Sequence, residues 1–264
     1  MDLQLQGKRA LVTGSTAGIG LAIAQGLAKE GAAVIVNGRT DKRVQQALAV
    51  LKKAGVSGKL EGLAADLGTV EGTRTAIERF PDVDILVNNL GIFEIKPFED
   101  IPDADWLRLF EVNILSGVRL SRHYLPGMKK RNWGRIVFIS SESALQIPAE
   151  MIHYGMTKTA QLAIARGLAE TTAGTNVTVN SVLPGPTASE GASNFIENLA
   201  RDQKTTRKEV EREFFQNMRP SSLLKRMIEP QEVANLVSFV CSPLSSAING
   251  AALRADGGVV RSIV

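Results

Sequence analysis

The sequence predicts one α/β domain built on a doubly wound, mostly parallel sheet of seven strands. Short β-branched runs alternate with helix-length amphipathic segments along all 264 residues, which is typical of βαβ units. Neither a linker nor an internal repeat of roughly 20–50 residues divides the chain, so residues 1–264 are expected to form a single domain. Right-handed crossovers between the strands would place helices on both faces of the sheet.

The predicted elements follow this alternation in order. Strands are expected at 10–12, 33–36, 60–65, 84–88, 135–140, 177–182 and 251–254. Helices are expected at 19–30, 42–54, 70–79, 103–128, 151–172 and 231–241. The long fourth helix should bend or end near Pro126, because proline removes a backbone donor and clashes with the preceding turn.

Residues 184–226 interrupt the alternation. They contain two short amphipathic patterns, at 193–200 and 208–217, and no predicted strand. An insertion of this length at the carboxyl edge of a sheet is predicted to be a helical lid over a substrate.

The charge distribution argues against two classes of function. The net charge of +4 is small, and the one dense basic run, Lys129-Lys130-Arg131, lies where a helix should end and cations complement its dipole. Nucleic-acid binding is therefore not expected. The uncharged stretch 10–28 contains glycines and polar residues, so no membrane span is expected.

Cysteine and histidine are scarce. Cys241 is the single cysteine, which excludes an intrachain disulfide and fits a reducing cytoplasm. His123 and His153 are the only histidines, so neither a metal site nor a histidine-based triad is expected. Residues 1–10 also lack the apolar core of a signal peptide.

A glycine-rich turn, residues 13–20, follows the first predicted strand. Its glycines Gly14, Gly18 and Gly20 have the spacing GxxxGxG. Glycine lets a backbone turn tightly and approach a pyrophosphate, and the following helix N-terminus offers N–H donors and positive potential. The turn therefore indicates a nucleotide-phosphate site, the alternative being a plain strand-to-helix turn.

A second group of residues can move a proton. Tyr154 and Lys158 lie one helical turn apart on one face, and Ser141 lies upstream at the end of a predicted strand. A phenol whose pKa is lowered by a neighbouring ammonium can exchange a proton with a carbonyl or alcohol oxygen. Together with the nucleotide site, this group predicts hydride chemistry on a nicotinamide.

These motifs resemble those of the short-chain dehydrogenase/reductase family over nearly the whole chain. Residues 13–20 are similar to the TGxxxGIG turn, 88–91 to the NNAG motif with Leu90 in place of alanine, and 154–158 to YxxxK. Pro184-Gly185 and Asp256-Gly257-Gly258 are similar to the PG and DGG motifs. The resemblance implies a Rossmann-type fold and an oxidoreductase that interconverts a ketone and a secondary alcohol.

The resemblance also implies roles for individual residues. Tyr154 would be the acid and base, Ser141 would hold the substrate oxygen, Lys158 would bind the nicotinamide ribose, and Asn113 would hold a water that links Lys158 to solvent. Asp66 would bond the adenine amino group, and Thr187 or Ser189 would reach the carboxamide or the pyrophosphate. The cofactor contacts implied are Gly14, Ser15, Thr16, Gly18, Ile19, Gly20, Arg39, Asp66, Leu67, Asn89, Gly91, Tyr154, Lys158, Pro184, Gly185 and Thr187.

The end of the second strand bears on the choice of cofactor. A carboxylate there would bind both ribose hydroxyls and repel a 2′-phosphate, but the sequence has Asn37-Gly38-Arg39. The guanidinium of Arg39 suits a phosphate. NADP(H) is therefore predicted, with NAD(H) possible if Arg39 only stacks on adenine.

The substrate is not identified by the sequence. The expected activity is the interconversion of a ketone and a secondary alcohol, with a 3-oxoacyl thioester reductase and a non-catalytic NADP(H)-sensing protein as alternatives. The partners expected are a small-molecule carbonyl or alcohol and, from the family resemblance, further copies of the chain in a homotetramer or dimer. The candidates for the pocket lining are Glu94, Ile95, Leu145, Gln146, His153, Phe195 and Phe214.

Overall fold

Seven parallel strands form one sheet at the centre of the computed structural model, which describes residues 2–263 apart from the side chains at positions 190, 192, 194 and 195. The strands are β1 (Arg9–Val12), β2 (Ala33–Gly38), β3 (Leu60–Ala64), β4 (Ile85–Asn88), β5 (Gly134–Ile139), β6 (Val177–Pro184) and β7 (Ala252–Ala255). Their order across the sheet is β3-β2-β1-β4-β5-β6-β7. The chain thus winds outward in two directions from β1 and β4, and ligands of such sheets bind at the carboxyl ends where the direction changes.

Helices cover both faces of the sheet. They are α1 (Gly18–Lys29), α2 (Asp41–Lys53), α3 (Val70–Arg79), α4 (Asp103–Phe110), α5 (Ser116–Lys130), α6 (Ile152–Glu170), α7 (Glu190–Asp202), α8 (Arg207–Glu213) and α9 (Pro230–Val240). Threonine side chains cap three of them, since Thr40 accepts from the Arg43 N–H, Thr69 from the Gly72 N–H and Thr206 from the Glu209 N–H. Within residues 2–263, no helix combines the length and the apolar character that a membrane crossing needs.

The hydrophobic core consists of one layer on each side of the sheet. Side chains alternate along β1, so Ala10 and Val12 pack with α1, α2 and α9, whereas Leu11 packs with α3, α5 and α6. Every residue of β4, β5 and β6 is buried. Strands covered on both faces read as continuous apolar runs, which is why the sequence revealed them.

The predicted helix 103–128 is in fact two helices. A π-helical turn, Glu111–Leu115, separates α4 from α5 and contains Asn113. The helix does not end at Pro126, since α5 continues to Lys130. Tyr124, Leu125 and Met128, on either side of the proline, are buried. The side chain of Asn113 in this turn forms hydrogen bonds with the backbone of Ile92, in the segment after β4.

The segment predicted as a lid connects β6 to α9. It contains α7, α8 and a π-helical turn, Phe214–Met218, packed around a small core of its own. Thr187 and Ile228 form a parallel bridge that pairs the two ends of the segment. The bases of the insertion are therefore fixed to each other and to the sheet.

Candidate active site

The polar residues singled out in the sequence meet at one edge of the sheet. Gly14, Asn89, Ser141 and Gly185 follow β1, β4, β5 and β6, whose carboxyl ends point the same way. The N-terminus of α1 lies at this edge as well, beyond the glycine turn.

The glycine turn fits a pyrophosphate. Gly14 and Gly18 have φ of 59° and 53°, which side chains rarely tolerate, and a Cβ on Gly20 would lie 2.5 Å from the Gly14 carbonyl oxygen. The first turn of α1 has neither a side-chain cap nor an acidic residue, so its N–H groups can serve an anion. We conclude that these residues suit the diphosphate of a dinucleotide.

Two asparagines hold the turn in shape. The Asn37 Oδ1 accepts from the Gly14 N–H at 3.0 Å, and the Asn89 Nδ2 donates to the carbonyls of Thr13 and Gly14 at 2.9 and 3.1 Å. The Thr13 hydroxyl accepts from the backbone N–H groups of Asn89 and Leu90. Asn37 and Asn89 therefore support the turn from within the protein.

The predicted cofactor residues differ in how accessible they are. Ser15 is fully buried and donates its hydroxyl to the Val12 carbonyl, so its side chain acts within the turn. Leu67 is likewise in the core. Asp66 is exposed, and one of its carboxylate oxygens accepts from the Gly68 N–H.

Residues around the end of β2 leave room for a charged group. Thr16 packs its methyl group over Gly38, where a Cβ would approach it to 2.5 Å. Arg39 is exposed, and in the described part of the chain its side chain makes no hydrogen bond or ion pair. The guanidinium is therefore available to a ligand at this end of the strand.

Tyr154 and Lys158 lie in the first turns of α6. The Lys158 Nζ is 5.5 Å from the centre of the tyrosine ring, and it donates to the Ile139 carbonyl at 2.9 Å and to the Gln161 Oε1 at 3.3 Å. A Cβ on Gly91 would come within 3.3 Å of this ammonium, so glycine keeps the space beside it open. The lysine is therefore buried and lies beside the tyrosine ring.

Asn113 is fastened by its amide and its backbone. Its side-chain Oδ1 accepts from the Ile92 N–H at 2.8 Å, and its Nδ2 donates to the Ile92 carbonyl and to the Thr157 hydroxyl. Its backbone carbonyl accepts from the Gln161 Nε2 at 2.6 Å. Gln161 thus connects Asn113 to Lys158 through its side chain.

Ser141 is hydrogen-bonded to the carboxylate of the next residue, Glu142. Its hydroxyl donates to Glu142 Oε2 at 2.5 Å, while the Arg219 Nε donates to the other oxygen of Glu142 at 3.1 Å. The Arg219 Nη1 also reaches Glu150 at 3.2 Å. Glu142 and Arg219 are each less than a tenth exposed, so this ion pair lies inside the protein.

Burial shifts the pKa values of Tyr154 and Lys158 in opposite directions. It raises the pKa of Tyr154 well above 10.0, the charge of Glu142 raises it further, and the Ser141 hydroxyl opposes both. Burial lowers the pKa of Lys158 to about 8, against the attraction of Glu142. Burial is the largest of the effects on Tyr154, so its pKa lies above the ordinary value here, whereas the sequence predicts that Lys158 and a bound nicotinamide lower it.

A cavity of about 200 Å³ opens in front of Tyr154 and Ser141. Apolar side chains from the segment after β4, from the turn before α6 and from the segment predicted as a lid form most of its wall, which also includes Glu142 and Arg219. The lining includes Ile19, Phe93, Ile95, Met151, Phe214 and Met218.

Of the residues expected to line the pocket, Ile95 and Phe214 do so. Glu94, Leu145, Gln146 and His153 are not part of its wall, and the side chain of Phe195 lies outside the described residues. Instead, His153 is fully buried with its ring 5.8 Å from that of Trp106 on α4, because it points away from Tyr154 around the helix.

The carboxyl-terminal motif contacts both the end of β6 and the segment predicted as a lid, whose Leu223 and Leu224 N–H groups donate to the Gly257 carbonyl. A Cβ on Gly185 would lie 2.4 Å from the Asp256 carbonyl oxygen, so the two backbone segments touch there. The Asp256 carboxylate accepts from the N–H groups of Gly258 and Val260. Thr187 donates to the Gly185 carbonyl, and both of these residues, together with Pro184 and Ser189, line the cavity.

Sequence reasoning missed three polar residues of the site: Glu142, Gln161 and Arg219. Glu142 carried a signal, since a charge directly after a buried strand and beside Ser141 is unusual unless it has a partner. Gln161 and Arg219 carried none, because their contacts join distant parts of the chain.

A parallel sheet with a phosphate-binding turn and a Ser141, Tyr154 and Lys158 group at its carboxyl edge defines a nicotinamide-dependent oxidoreductase. Residues 8–200 match the family model described as short chain dehydrogenase. The chain therefore belongs to the short-chain dehydrogenase/reductase family and is an NAD(P)-dependent enzyme.

Individual relatives extend the similarity over the whole chain. It is 55% identical over 263 residues to uncharacterized oxidoreductase YvaG of Bacillus subtilis (strain 168), covering 100% of each. It is 36% identical to the 3-oxoacyl-acyl-carrier-protein reductase FabG of Aquifex aeolicus (strain VF5), covering 98% of this chain and 100% of that one. It also resembles the structure of L-sorbose reductase from Gluconobacter frateurii complexed with NADPH and L-sorbose, with a TM-score of 0.92, 31% identity and 100% of each chain covered.

Proposed function

We propose that the protein is an NADP(H)-dependent oxidoreductase that interconverts a ketone and a secondary alcohol, with Tyr154 as acid and base. The observation that supports this best is the placement of Tyr154 on the cavity wall with Ser141, while the Lys158 ammonium lies 5.5 Å from its ring. A bound nicotinamide would supply the hydride in reduction and accept it in oxidation.

In reduction, Tyr154 gives its proton to the carbonyl oxygen as that oxygen gains negative charge. Ser141 orients the oxygen by a hydrogen bond, for which its hydroxyl turns its one proton from Glu142 to the substrate. The raised pKa of Tyr154 keeps the phenol protonated at neutral pH, which is the form that an acid catalyst needs. The Lys158 ammonium stabilises the phenolate left behind, and the phenolate then recovers a proton.

Replacing Tyr154 by phenylalanine tests the proposal. Tyr154→Phe removes the proton donor but keeps the ring beside Phe93, so turnover should fall by at least about a hundredfold. Affinity for NADPH should stay within about threefold, because only the hydroxyl is lost. The assay is NADPH oxidation over a panel of simple ketones, ketoses and a 3-oxoacyl thioester, with cofactor binding followed by fluorescence.

Two results would count against the enzyme. Unchanged turnover in Tyr154→Phe would remove Tyr154 from the chemistry. NADPH binding by the wild type without oxidation of NADPH on any carbonyl of the panel would favour the cofactor-sensing alternative. Preference for the 3-oxoacyl thioester would narrow the activity to acyl reduction.

The preference for NADP(H) rests on the end of β2. Asn37 provides no carboxylate there, and its amide is occupied by Gly14 and by the carbonyls of Leu63 and Ala65. Arg39 is exposed two residues further on, with a guanidinium suited to a 2′-phosphate.

Replacing Arg39 by alanine should weaken NADPH binding by about ten- to a hundredfold, the value of a hydrogen-bonded ion contact. Binding of NADH, which lacks the phosphate, should change little. Lys52→Ala is the matched control, because it removes the same charge at the far end of α2. An NADPH/NADH affinity ratio that is the same in Arg39→Ala as in the wild type would refute the role of Arg39.

Assembly into a homotetramer or dimer is part of the proposal. Phe98, Leu107 and Phe110 are 57%, 69% and 42% exposed on and next to α4, an apolar surface of the kind that subunits cover. Light scattering at several concentrations would measure the mass of the particles in solution, and a monomer at micromolar concentration would contradict the proposed assembly.

A further inference from the structure

Glu142 is a charged group within the substrate cavity that the proposed chemistry does not use. It lies directly after Ser141, is 5% exposed, and forms part of the cavity wall that also holds Tyr154. A buried carboxylate so near a reacting carbonyl must be compensated, and its partners indicate what else it can bind.

The hydrogen-bonding capacity of Glu142 is only partly used. A carboxylate offers roughly four acceptor positions. Among the described residues, the side chains bonded to it are Ser141, at 2.5 Å, and Arg219, at 3.1 Å. Since Glu142 also lines the cavity, the remaining positions can accept a hydrogen bond from a substrate held beside Ser141.

The charge balance disfavours an acidic substrate. Arg219 is the one cationic residue among the described residues of the cavity wall, and it is already paired with Glu142 and with Glu150. The wall itself contributes one carboxylate and one guanidinium, which are paired with each other, and the nearby Lys158 ammonium is not part of the wall and donates to Ile139 and Gln161. A substrate carboxylate would therefore find no free cation and would be repelled by Glu142.

The rest of the cavity suits a short carbon skeleton. Phe93, Met151, Phe214 and Met218 form much of the apolar wall, and the volume is about 200 Å³. The Phe214 ring also lies 5.7 Å from the Arg219 guanidinium. The Phe93 ring packs edge-on against Tyr154 with centroids 6.1 Å apart. A small substrate would thus place its apolar end among these side chains and its polar end toward Glu142.

We infer that the substrate is a neutral hydroxy ketone, with its hydroxyl on the carbon next to the carbonyl, and that Glu142 recognises this hydroxyl. The inference depends on the proposed oxidoreductase function. In reduction the carbonyl carbon gains a hydride from NADPH and the oxygen gains the Tyr154 proton, which gives a vicinal diol and NADP⁺. The recognised hydroxyl keeps its proton and all its bonds throughout.

Three compounds with one carbon skeleton test the inference: butan-2-one, 1-hydroxybutan-2-one and 2-oxobutanoate. In the wild type, kcat/KM for 1-hydroxybutan-2-one should exceed that for butan-2-one by about ten- to a hundredfold, as a hydrogen bond to a charged group allows. It should also exceed that for 2-oxobutanoate, although the neighbouring carboxylate makes that ketone reactive.

Glu142→Gln separates recognition from intrinsic reactivity. The amide has nearly the same shape but no charge, so the preference for the hydroxy ketone over butan-2-one should fall by about tenfold. Relative activity on 2-oxobutanoate should rise, because a repulsive charge is gone. Taking ratios between substrates within one variant cancels any common effect through Ser141.

Glu150→Gln is the matched control. It removes a carboxylate from the same arginine, but Glu150 is not part of the cavity wall, so the hydroxyl preference should stay within about twofold. Far-ultraviolet circular dichroism checks that both variants fold. If Glu142→Gln does not fold, the substrate ratios of the wild type and of Glu150→Gln decide whether the substrate is a neutral hydroxy ketone.

The outcomes separate this inference from the proposed function. Equal kcat/KM for the hydroxy ketone and butan-2-one, preference for 2-oxobutanoate, or a ratio unchanged in a folded Glu142→Gln would overturn the substrate class alone. Failure of the wild type to oxidise NADPH with any ketone would overturn the proposed function and the inference with it.

Discussion

Gln161 offers the sharpest test of how the buried lysine works. Its side chain is 1% exposed, donates to the Asn113 carbonyl at 2.6 Å and accepts from the Lys158 Nζ at 3.3 Å. The same position on α6 therefore fixes both the π-helical turn and the ammonium. Replacing it by leucine removes both hydrogen bonds, whereas glutamate keeps an acceptor and adds a charge.

Both substitutions should destabilise the fold. Gln161→Leu leaves a buried carbonyl and a buried ammonium each short of one partner, at about 1–3 kcal/mol per group. We expect the free energy of unfolding to fall by about 2–4 kcal/mol. Gln161→Glu turns a carboxylate toward the Asn113 carbonyl and should lose a similar amount, which urea denaturation would measure.

The effects on pH dependence should have opposite signs. The pKa of Lys158 is about 8, below its ordinary 10.5, so the cation that assists Tyr154 is present below pH 8 and is lost above it. The wild-type rate of reduction should therefore decline above about pH 8. A carboxylate within a few ångströms raises the lysine pKa by about 1–3 units, so Gln161→Glu should extend activity to higher pH.

In Gln161→Leu the ammonium loses an acceptor, and the decline should begin at lower pH than in the wild type. The assay is kcat/KM for ketone reduction from about pH 6 to about pH 10, with NADPH saturating at each pH. If both variants lose stability but keep the wild-type pH profile, Gln161 only supports the fold and the reasoning about Lys158 is refuted.

Two further substitutions test the turn and the core. Gly20→Ala places a Cβ 2.5 Å from the Asn89 Nδ2, so it should weaken NADPH binding and lower the free energy of unfolding by about 1–3 kcal/mol. Gly167→Ala has open space around its Cβ on α6 and should raise the free energy of unfolding by about 0.5–1 kcal/mol. Equal melting temperatures of the two variants would contradict this. Burial and then the Asp82 charge raise the pKa of Tyr124 from 10.0 to about 12, so the stability that this group contributes below pH 10 is lost as the pH rises toward 12. Tyr124→Phe should reduce that alkaline loss in urea titrations, and an unchanged slope against pH would exclude Tyr124 as its source.

The strands were predictable because the sheet is covered on both faces. The predicted strand at 84–88 differs from β4 by one residue, and that at 135–140 is displaced from β5 by one, since continuous burial demands continuous apolar side chains. The prediction was weaker in the long helix, where the sequence contains no mark of the π-helical turn at Glu111–Leu115. That turn is held by Asn113, Ile92 and Gln161, which come from three separate parts of the chain.

The order of the chain alone determined that a glycine turn, Ser141, Tyr154 and Lys158 would meet, because parallel strands end at the same edge and a helix repeats its face every fourth residue. These are local patterns, and they were sufficient for the fold and for the family. Only the tertiary structure brought Arg219 to Glu142 and Gln161 to Asn113. Such contacts depend on how the segment between β6 and α9, and the helix α6, pack against the rest of the protein. The resulting burial is the largest effect on the pKa of Tyr154.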